Sequence, residues 1–531
     1  MRTLCLVLAL GSLPVGAQSQ EDRDALRMEG SFVRDARRED LRLLGSLVQT
    51  AINTAQARDT KLPPRAAALL NPIAYAFGSS NDNMAWRLAT RFLLFARGAA
   101  WGDAQEAAAS FDFKTDRRIA APGDILHARL DPLYTLGRSL QRPLTIEIGL
   151  LPGGAVRKLT VESLVPAEVT LPTAGLAAGD YEVSYRLSDG AQTLVEVRRA
   201  LLIDGTVRAR VATLRQQWKT LSAAAGKSAT VQAALDSVEY ILDTVERAQS
   251  QYVGSFHQSL HPFAEQLRPK DPPPDSGPVF DLTRDLALTQ QFLEVLKTGR
   301  DPLARAEGDS RMAFRSSADR SLQPYRLFLP AMGTGDRKWP LVIALHGASG
   351  DENSYFDSYH APGGNESLLK KLAAERGYIV VCPGGRGAFH FYEGPSAAEV
   401  TDLLDTVLAV LPVDRDAVFL MGHDMGALGA LHAGTQHPER FAAIAAVAGV
   451  APAERMNLEL AVKMRLHLYQ GAADLVMLPS IGRNFAAFAK YRFKDFVYIE
   501  HKDDDHASIV ITTMPEIFDW FDSLRKTAPG K

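Results

Sequence analysis

Residues 311–531 alternate short apolar runs with amphipathic stretches, and this alternation constrains the fold more than any other feature of the chain. The apolar, β-branched runs read PLVIALHG, YIVVCPG, AVFLMGH, RLHLYQG and FVYIEHKDDDH. Stretches with helical periodicity, such as SLLKKLAAERG and AEVTDLLDTVLAVL, lie between them. Strands that alternate with helices form βαβ units, whose buried strands run mostly parallel. We therefore predict a C-terminal α/β domain with a mostly parallel sheet over 311–531.

The rest of the chain changes its hydrophobic period twice, which predicts a multidomain protein. Residues 18–108 favour a helical domain, because apolar residues recur three and four positions apart at Leu41, Leu44, Leu47, Val48 and Ile52. Residues 109–205 contain runs such as PLTIEIGLL and DYEVSYRLSDG, which alternate apolar with polar residues and favour a small immunoglobulin-like β-sandwich. Residues 206–310 return to a helical period and close with a proline-rich linker, LRPKDPPPDSGP.

The first 17 residues have the composition of a secretory signal peptide. Arg2 precedes the apolar run from Leu4 to Leu10, and the small residues Val15 and Ala17 stand before the expected cleavage point. A membrane anchor needs about 20 apolar residues, so no membrane insertion is expected after cleavage. We predict an exported bacterial protein, periplasmic or extracellular. Cys382 is then the one remaining cysteine, which excludes an intramolecular disulfide.

Charge and ligand patterns limit the partners. The net charge of -3 and the lack of a basic run with interleaved aromatic residues argue against nucleic acid as a partner. His257 and His261 could share a helix face, but no third ligand accompanies them, so a surface pair is the preferred interpretation. We predict neither a metal site nor a cofactor. The oligomeric state stays open.

The run AVFLMGHDMGALGALHA predicts a strand, a tight turn and a helix. Gly422 and Gly426 flank the tip residue Asp424, as the glycines do in the G-x-S-x-G nucleophile elbow, where a serine normally stands. Glycines at these places let strand and helix close around a strained tip. Alternatively, Asp424 is a loop aspartate that caps the following helix.

Two further residues follow the elbow in a chemically suggestive order. Asp474 comes just after the run RLHLYQG, and His506 follows the run ending in DDDH, so the order is tip, acid, histidine. In such an arrangement the histidine accepts a proton or activates water, and the acid fixes its tautomer. An oxyanion hole could be formed by a backbone N–H near Gly347 or Ala348 in ALHGASG, together with that of Met425.

These motifs resemble the esterase family that includes polyhydroxybutyrate depolymerases and feruloyl esterases. The matching segments include LVIALHGASGD, GYIVVCPGGRG, VDRDAVFLMGHDMGALGAL, YQGAADLVM and DDDHASI. The resemblance covers residues 320 to 526 and implies an α/β-hydrolase fold in which Asp474 and His506 match the acid and the base. It also implies a small-molecule or polymer ester as substrate. The chain departs from the family at the nucleophilic serine, which is replaced by Asp424.

Three interpretations of the aspartate remain open. The protein hydrolyses esters with Asp424 as nucleophile or as a base for water, or it is a catalytically inactive hydrolase-fold protein that binds a ligand in the old cleft. In the third, Asp424 attacks sp3 carbons, as in epoxide hydrolases and haloalkane dehalogenases. Those enzymes insert a helical cap before the acid, whereas here only 50 residues separate positions 424 and 474.

The identity of the substrate does not follow from the sequence. Three aromatic residues near the expected mouth of the site could line a pocket for an aromatic or polymeric ester, namely Tyr355, Phe389 and Tyr392. The same residues could equally belong to the hydrophobic core.

Overall fold

A computed structural model describes most of the 531-residue chain. The described residues are 31–32, 38–79, 81–136, 138–224, 228–250, 282–303, 307–331, 337–348, 350–387, 390 and 392–526. The predicted signal peptide, the histidine pair at 257 and 261, the proline-rich linker and Phe389 lie outside them. The chain forms two compact units, Met1–Val211 with Thr244–Val279 and Ala212–Asp243 with Phe280–Lys531.

The first unit begins with helices and continues with short strands. Its helices are α1 (Arg38–Ala57), α2 (Pro64–Ala67), α3 (Leu70–Gly78), α4 (Asp82–Ala96) and α5 (Asp103–Ser110). Its strands are β1 (Ser31–Phe32), β2 (Phe111–Thr115), β3 (Ile119–Ala120), β4 (Ile125–Pro132), β5 (Tyr134–Thr135), β6 (Leu144–Leu151), β7 (Val156–Val161), β8 (Ala167–Pro172), β9 (Gly179–Asp189) and β10 (Gln192–Ile203).

These strands form a two-stranded sheet, β1-β5, a three-stranded sheet, β2-β4-β8, and a five-stranded sheet, β3-β10-β9-β6-β7. In the five-stranded sheet, β10-β9, β9-β6 and β6-β7 are antiparallel pairs, while the short β3 runs parallel to β10. Their burial alternates along the chain, as in β10, because one face of each strand is turned to the core. The immunoglobulin-like assignment stays a prediction.

The helices and the strands of this unit share one hydrophobic core, which contains residues on both sides of the predicted boundary at 108/109. The core extends from the stripe of α1, with Leu44 and Val48 fully buried, to Ile203 of β10. A buried hydrogen bond between helices α4 and α5 also crosses the predicted boundary, since the Trp86 indole N–H donates to the carbonyl of Ala109 at 2.8 Å. The helical stripe therefore buries its apolar surface with the strands, and not only within its own bundle.

The second unit is built around an eight-stranded sheet with the order β11-β12-β14-β13-β15-β16-β17-β18. The strands are β11 (Gly308–Arg315), β12 (Leu322–Leu329), β13 (Trp339–Leu345), β14 (Ile379–Pro383), β15 (Val413–His423), β16 (Ala443–Val447), β17 (Arg465–Gly471) and β18 (Asp495–His501). In the sheet order, every neighbouring pair from β14 to β18 is parallel, whereas β12 pairs antiparallel with both β11 and β14.

Helices connect the parallel strands and cover the sheet. They are α9 (Ser354–Asp357), α10 (Leu368–Arg376), α11 (Pro395–Val410), α12 (Met425–Gln436), α13 (Pro479–Ala489) and α14 (Ser508–Lys526). All residues of β13, β14 and β16 are buried, as expected for strands that are covered on both faces. Parallel strands end at one edge of the sheet, so the loops after β13, β15, β17 and β18 meet there.

The segment predicted as a separate helical piece, 206–310, is not a domain of its own. Its helices are α6 (Val207–Ala223), α7 (Ala229–Ser250) and α8 (Leu282–Lys297), and residues 212–243 and 280 onward belong to the second unit. Polar contacts to β11 explain this assignment. The Ala313 N–H donates to Ser237 Oγ at 2.9 Å, and Arg311 Nε donates to Asp285 Oδ2 at 2.8 Å.

Arg311 is the centre of a buried ion cluster. Its guanidinium, 2% exposed, contacts Asp285 of α8, Glu352 and Asn353, and the neighbouring Arg326 contacts the same Asn353 at 2.7 Å. Buried charges persist only when their partners satisfy them, so this cluster ties α8, β11 and the segment after β13 into one arrangement.

Among the described residues, no helix is both long and apolar enough to cross a membrane.

We expect Arg311→Met to lower the unfolding free energy of the second unit by about 3–5 kcal/mol, because it leaves buried carboxylates without their cation. Hydrogen exchange of the amides in β13 and β15 measures this change within the unit. The matched control is Arg465→Met, which removes a partly exposed pair with Asp495 and should cost at most about 1 kcal/mol. Equal effects of the two substitutions would contradict a structural role for the cluster.

Candidate active site

The elbow forms because two glycines allow backbones to approach closely. Strand β15 ends at His423 and helix α12 begins at Met425, which leaves Asp424 alone in the turn. A Cβ atom on Gly422 would lie 2.1 Å from the carbonyl oxygen of Gly426, and one on Gly426 would lie 1.9 Å from that of Leu345. No side chain fits at either place, so both positions require glycine.

Asp424 adopts a strained backbone conformation at this tip. Its φ is +51° and its ψ is -113°, in a region that residues with a side chain rarely occupy. Such strain costs on the order of 1–3 kcal/mol and persists only where the surrounding structure enforces it. The carboxylate does not cap helix α12, since no side-chain capping hydrogen bond forms. The alternative interpretation of Asp424 as a helix cap is therefore wrong.

Asp474 lies in the loop after β17 and is held firmly. Its side chain is fully buried, and its Oδ1 accepts hydrogen bonds from the amides of Val476 and Met477, both at 2.8 Å. Its Oδ2 accepts from Gln470 Nε2 at 3.2 Å and contacts His506 Nδ1 at 2.8 Å. This contact leaves the other ring nitrogen of His506 facing the elbow.

His506 lies between two carboxylates. Its Nε2 is 3.8 Å from Asp424 Oδ1, on the opposite side of the ring from Asp474. Burial by itself lowers the pKa of His506, but the hydrogen bond to Asp474 and the negative charges of Asp424 and Asp474 outweigh it and raise the pKa above its usual value. The imidazolium form is therefore favoured in this site.

The second oxygen of Asp424 contacts a backbone donor. The Ala348 N–H donates to Asp424 Oδ2 at 2.9 Å. Gly347 approaches the same turn so closely that a Cβ there would lie 3.3 Å from Asp424 Cβ. Met425 is the first residue of α12, so its amide stands at the helix N-terminus beside the elbow.

The structure thus brings Asp424, Asp474, His506 and the predicted oxyanion-hole residues Gly347, Ala348 and Met425 to one edge of the sheet.

Tyr355 and Tyr392 are different, since both are almost completely inaccessible to solvent, with 0% and 1% exposure. The ring of Tyr355 packs on Tyr359 at 5.2 Å and that of Tyr392 on His346 at 5.8 Å. Their prediction as substrate-lining residues is corrected, because packing within the core leaves them no surface for a ligand.

Sequence reasoning missed two side chains at this site. The Tyr359 side chain is part-buried, and its Oη lies 3.5 Å from His423 Nδ1. Burial raises the pKa of Tyr359, and the negative charge of Asp424 raises it further. His423 Nε2 lies 2.8 Å from the carbonyl oxygen of His506. Tyr359 stands 65 positions before Asp424 in an irregular segment, and no local motif marks it.

No group of three metal-ligating side chains occurs in the described part of the chain.

Residues 323–459 match the Esterase family model. Similar solved structures include a fluorophosphonate-binding serine hydrolase and an S-formylglutathione hydrolase, both of Staphylococcus aureus and 17% identical. The two matches cover 41% of this chain and 99% and 98% of the other chains, with TM-scores of 0.35 and 0.34. A ferulic acid esterase of Anaeromyces mucronatus is 16% identical, over 40% of this chain and 88% of its own, with a TM-score of 0.34. The family match is confined to residues 323–459, which lie within the second unit.

Proposed function

We propose that the protein is exported, that its second unit hydrolyses esters, and that Asp424, His506 and Asp474 catalyse this reaction. The observation that carries this proposal is the alignment of His506 between two carboxylates, with Nδ1 at 2.8 Å from Asp474 and Nε2 facing Asp424 at 3.8 Å. The match of residues 323–459 to the Esterase family supports the ester as the substrate class.

Asp424 acts best as a general base for water. Direct attack of its carboxylate on an acyl carbon would form a tetrahedral intermediate on the path to an anhydride, and the carboxylate leaves this intermediate more readily than the alkoxide does. A water molecule beside Asp424 avoids this problem. Asp424 takes one proton from the water while the oxygen of that water forms its bond to the acyl carbon.

His506 acts as the general acid in this scheme. In its imidazolium form it donates the Nε2 proton to the alkoxide as the bond between the acyl carbon and the leaving oxygen breaks. Asp474 accepts from Nδ1 and stabilises the positive charge. The proton held by Asp424 then returns to His506, so the site is restored and the net reaction consumes one water.

The developing oxyanion needs backbone donors, and Ala348 is one of them. Because its N–H donates to Asp424 Oδ2 at 2.9 Å, the carboxylate has to release this amide to the substrate carbonyl. Met425, at the N-terminus of α12, supplies the second donor. This exchange exposes the substrate oxygen to a nearby negative charge, which predicts slower turnover than with an uncharged elbow residue.

The same contact favours a second candidate, a hydrolase-fold protein that binds its ligand without turnover. An aspartate oxygen on the Ala348 amide stands where the oxyanion would bind, and the ion pair with His506 stabilises that state.

Attack on sp3 carbons finds no such support. Between β16 and β17 the chain forms only two short 3-10 turns, Ala453–Arg455 and Ala461–Lys463, and no helical cap.

The first test is hydrolysis of short p-nitrophenyl esters by wild type, Asp424→Asn and His506→Gln. We expect turnover by wild type and a loss of about 10²-fold or more in each variant, because general acid–base catalysis contributes about that much. Asp424→Asn tests the base directly, since asparagine keeps the size and shape of the side chain but accepts no proton. An inert wild type beside an active Asp424→Ser variant would contradict turnover by Asp424. Ligand binding that survives Asp424→Ala would then support the second candidate.

The pH dependence separates the water mechanism from a serine-type mechanism. Wild type needs charged His506, so its kcat should fall as the pH rises through the raised pKa of His506. Asp424→Ser needs neutral His506 to accept the serine proton, so its kcat should rise with pH. Initial rates, corrected for spontaneous hydrolysis, measure both profiles. A wild-type rate that rises through this range would show that neutral His506 is the active form.

A further inference from the structure

The histidine beside the elbow residue occupies a junction of three segments. His423 is 7% exposed, and its Nε2 lies 2.8 Å from the carbonyl oxygen of His506. Its Nδ1 lies 3.5 Å from Tyr359 Oη, and a Cβ on Gly347 would come within 2.9 Å of the same nitrogen. The ring centroids of His423 and His506 are 4.7 Å apart.

We propose that His423 is a positioning residue, which fixes the loop of His506 through a hydrogen bond from its Nε2–H and is itself held in that tautomer by Tyr359. The inference rests on the proposed function, in which His506 donates a proton to the leaving group. It assigns a role to the second residue of the elbow, which carries no chemistry of its own.

The hydrogen-bond partners determine the tautomer. A backbone carbonyl can only accept, so the nitrogen of His423 that faces the His506 carbonyl has to carry a hydrogen. Neutral imidazole has one N–H, which makes Nδ1 the acceptor, and the Tyr359 hydroxyl then donates to it. Burial, followed by repulsion from the charge of His506, holds the pKa of His423 well below its usual value, in agreement with a neutral ring.

The position of His423 also couples the two halves of the site. On one side, its ring lies close to Gly347, and the N–H of the following residue, Ala348, donates to Asp424 Oδ2. On the other side, it holds the backbone of His506, whose ring contacts Asp474. A shift of the His506 backbone would lengthen the contact with Asp474, and misplacement by about 1 Å can cost on the order of 10²-fold in rate.

The first experiment measures the tautomer directly in the full chain. Selective 15N labelling of the histidines, with resonances assigned by single substitutions, should show His423 protonated at Nε2 and bare at Nδ1. An Nδ1–H tautomer would overturn the proposal, because the His506 carbonyl could then receive no hydrogen bond from this ring.

The second experiment compares His423→Leu with His423→Gln and follows the titration of His506. The charged groups that face His506 are Asp474, Asp424 and Asp505, and all of them stay in place in both variants. We expect His423→Leu to lower the pKa of His506 as the contact with Asp474 weakens. His423→Gln should restore it, because its amide N–H can reach the same carbonyl. An unchanged pKa in His423→Leu would overturn the proposal.

Tyr359→Phe provides a test that leaves His423 intact. Without the hydroxyl, Nδ1 loses its donor, so its 15N resonance should move toward that of an unbonded acceptor. An unmoved resonance would remove Tyr359 from the proposal. None of these readouts needs ester turnover. A protein that shows the expected tautomer and titration but hydrolyses no ester would contradict the proposed function and leave the positioning of His506 intact.

Discussion

The site depends on the close approach of three backbones at the elbow. Gly422, Gly426 and Leu345 lie so near one another that no side chain could be inserted between them. At this contact Asp424 adopts a positive φ, and its Oδ1 lies 3.8 Å from His506 Nε2. The loop that contains Ala348 reaches the same point because β13 and β15 are neighbours in the sheet. A strained tip residue and its two partners therefore follow from one packing constraint.

The negative charge of Asp424 sets the charge balance at this point and hence the chemistry of the proposed reaction. A neutral nucleophile would leave His506 with one carboxylate partner, whereas Asp424 gives it two. A second negative charge favours the imidazolium form, which is a proton donor and no longer a base. In the proposed reaction the Asp424 carboxylate is the base, and in the structure it accepts the hydrogen bond of the Ala348 amide. Both the proposed water mechanism and the binding-only alternative depend on the negative charge of Asp424.

Much of this site could be predicted from local sequence, since the elbow glycines, Asp474 and His506 each follow a recognisable buried strand. Their side chains come together because parallel strands end at one edge of the sheet. The contact of Asp424 with Ala348 could not be predicted, because it depends on a side-chain rotation within a loop. Tyr355 and Tyr392 are aromatic residues of the kind that often line pockets, but residues distant in the sequence pack around them and bury them. The membership of α8 in the C-terminal unit depends on Arg311 and Asp285, which are ordinary charged residues in the sequence.

The most direct measurement is ester hydrolysis in 18O-labelled water under single-turnover conditions, followed by mass spectrometry of the acid product and of the peptide that contains Asp424. If Asp424 activates water, the label appears in the released acid and the peptide keeps its ordinary mass. If Asp424 attacks the substrate, a covalent intermediate forms, which adds the mass of the acyl group to this peptide when the reaction is quenched early, and its hydrolysis at the aspartyl carbonyl places 18O in the aspartate itself. Labelled Asp424, or no labelled acid at all, would contradict its role as the base for water.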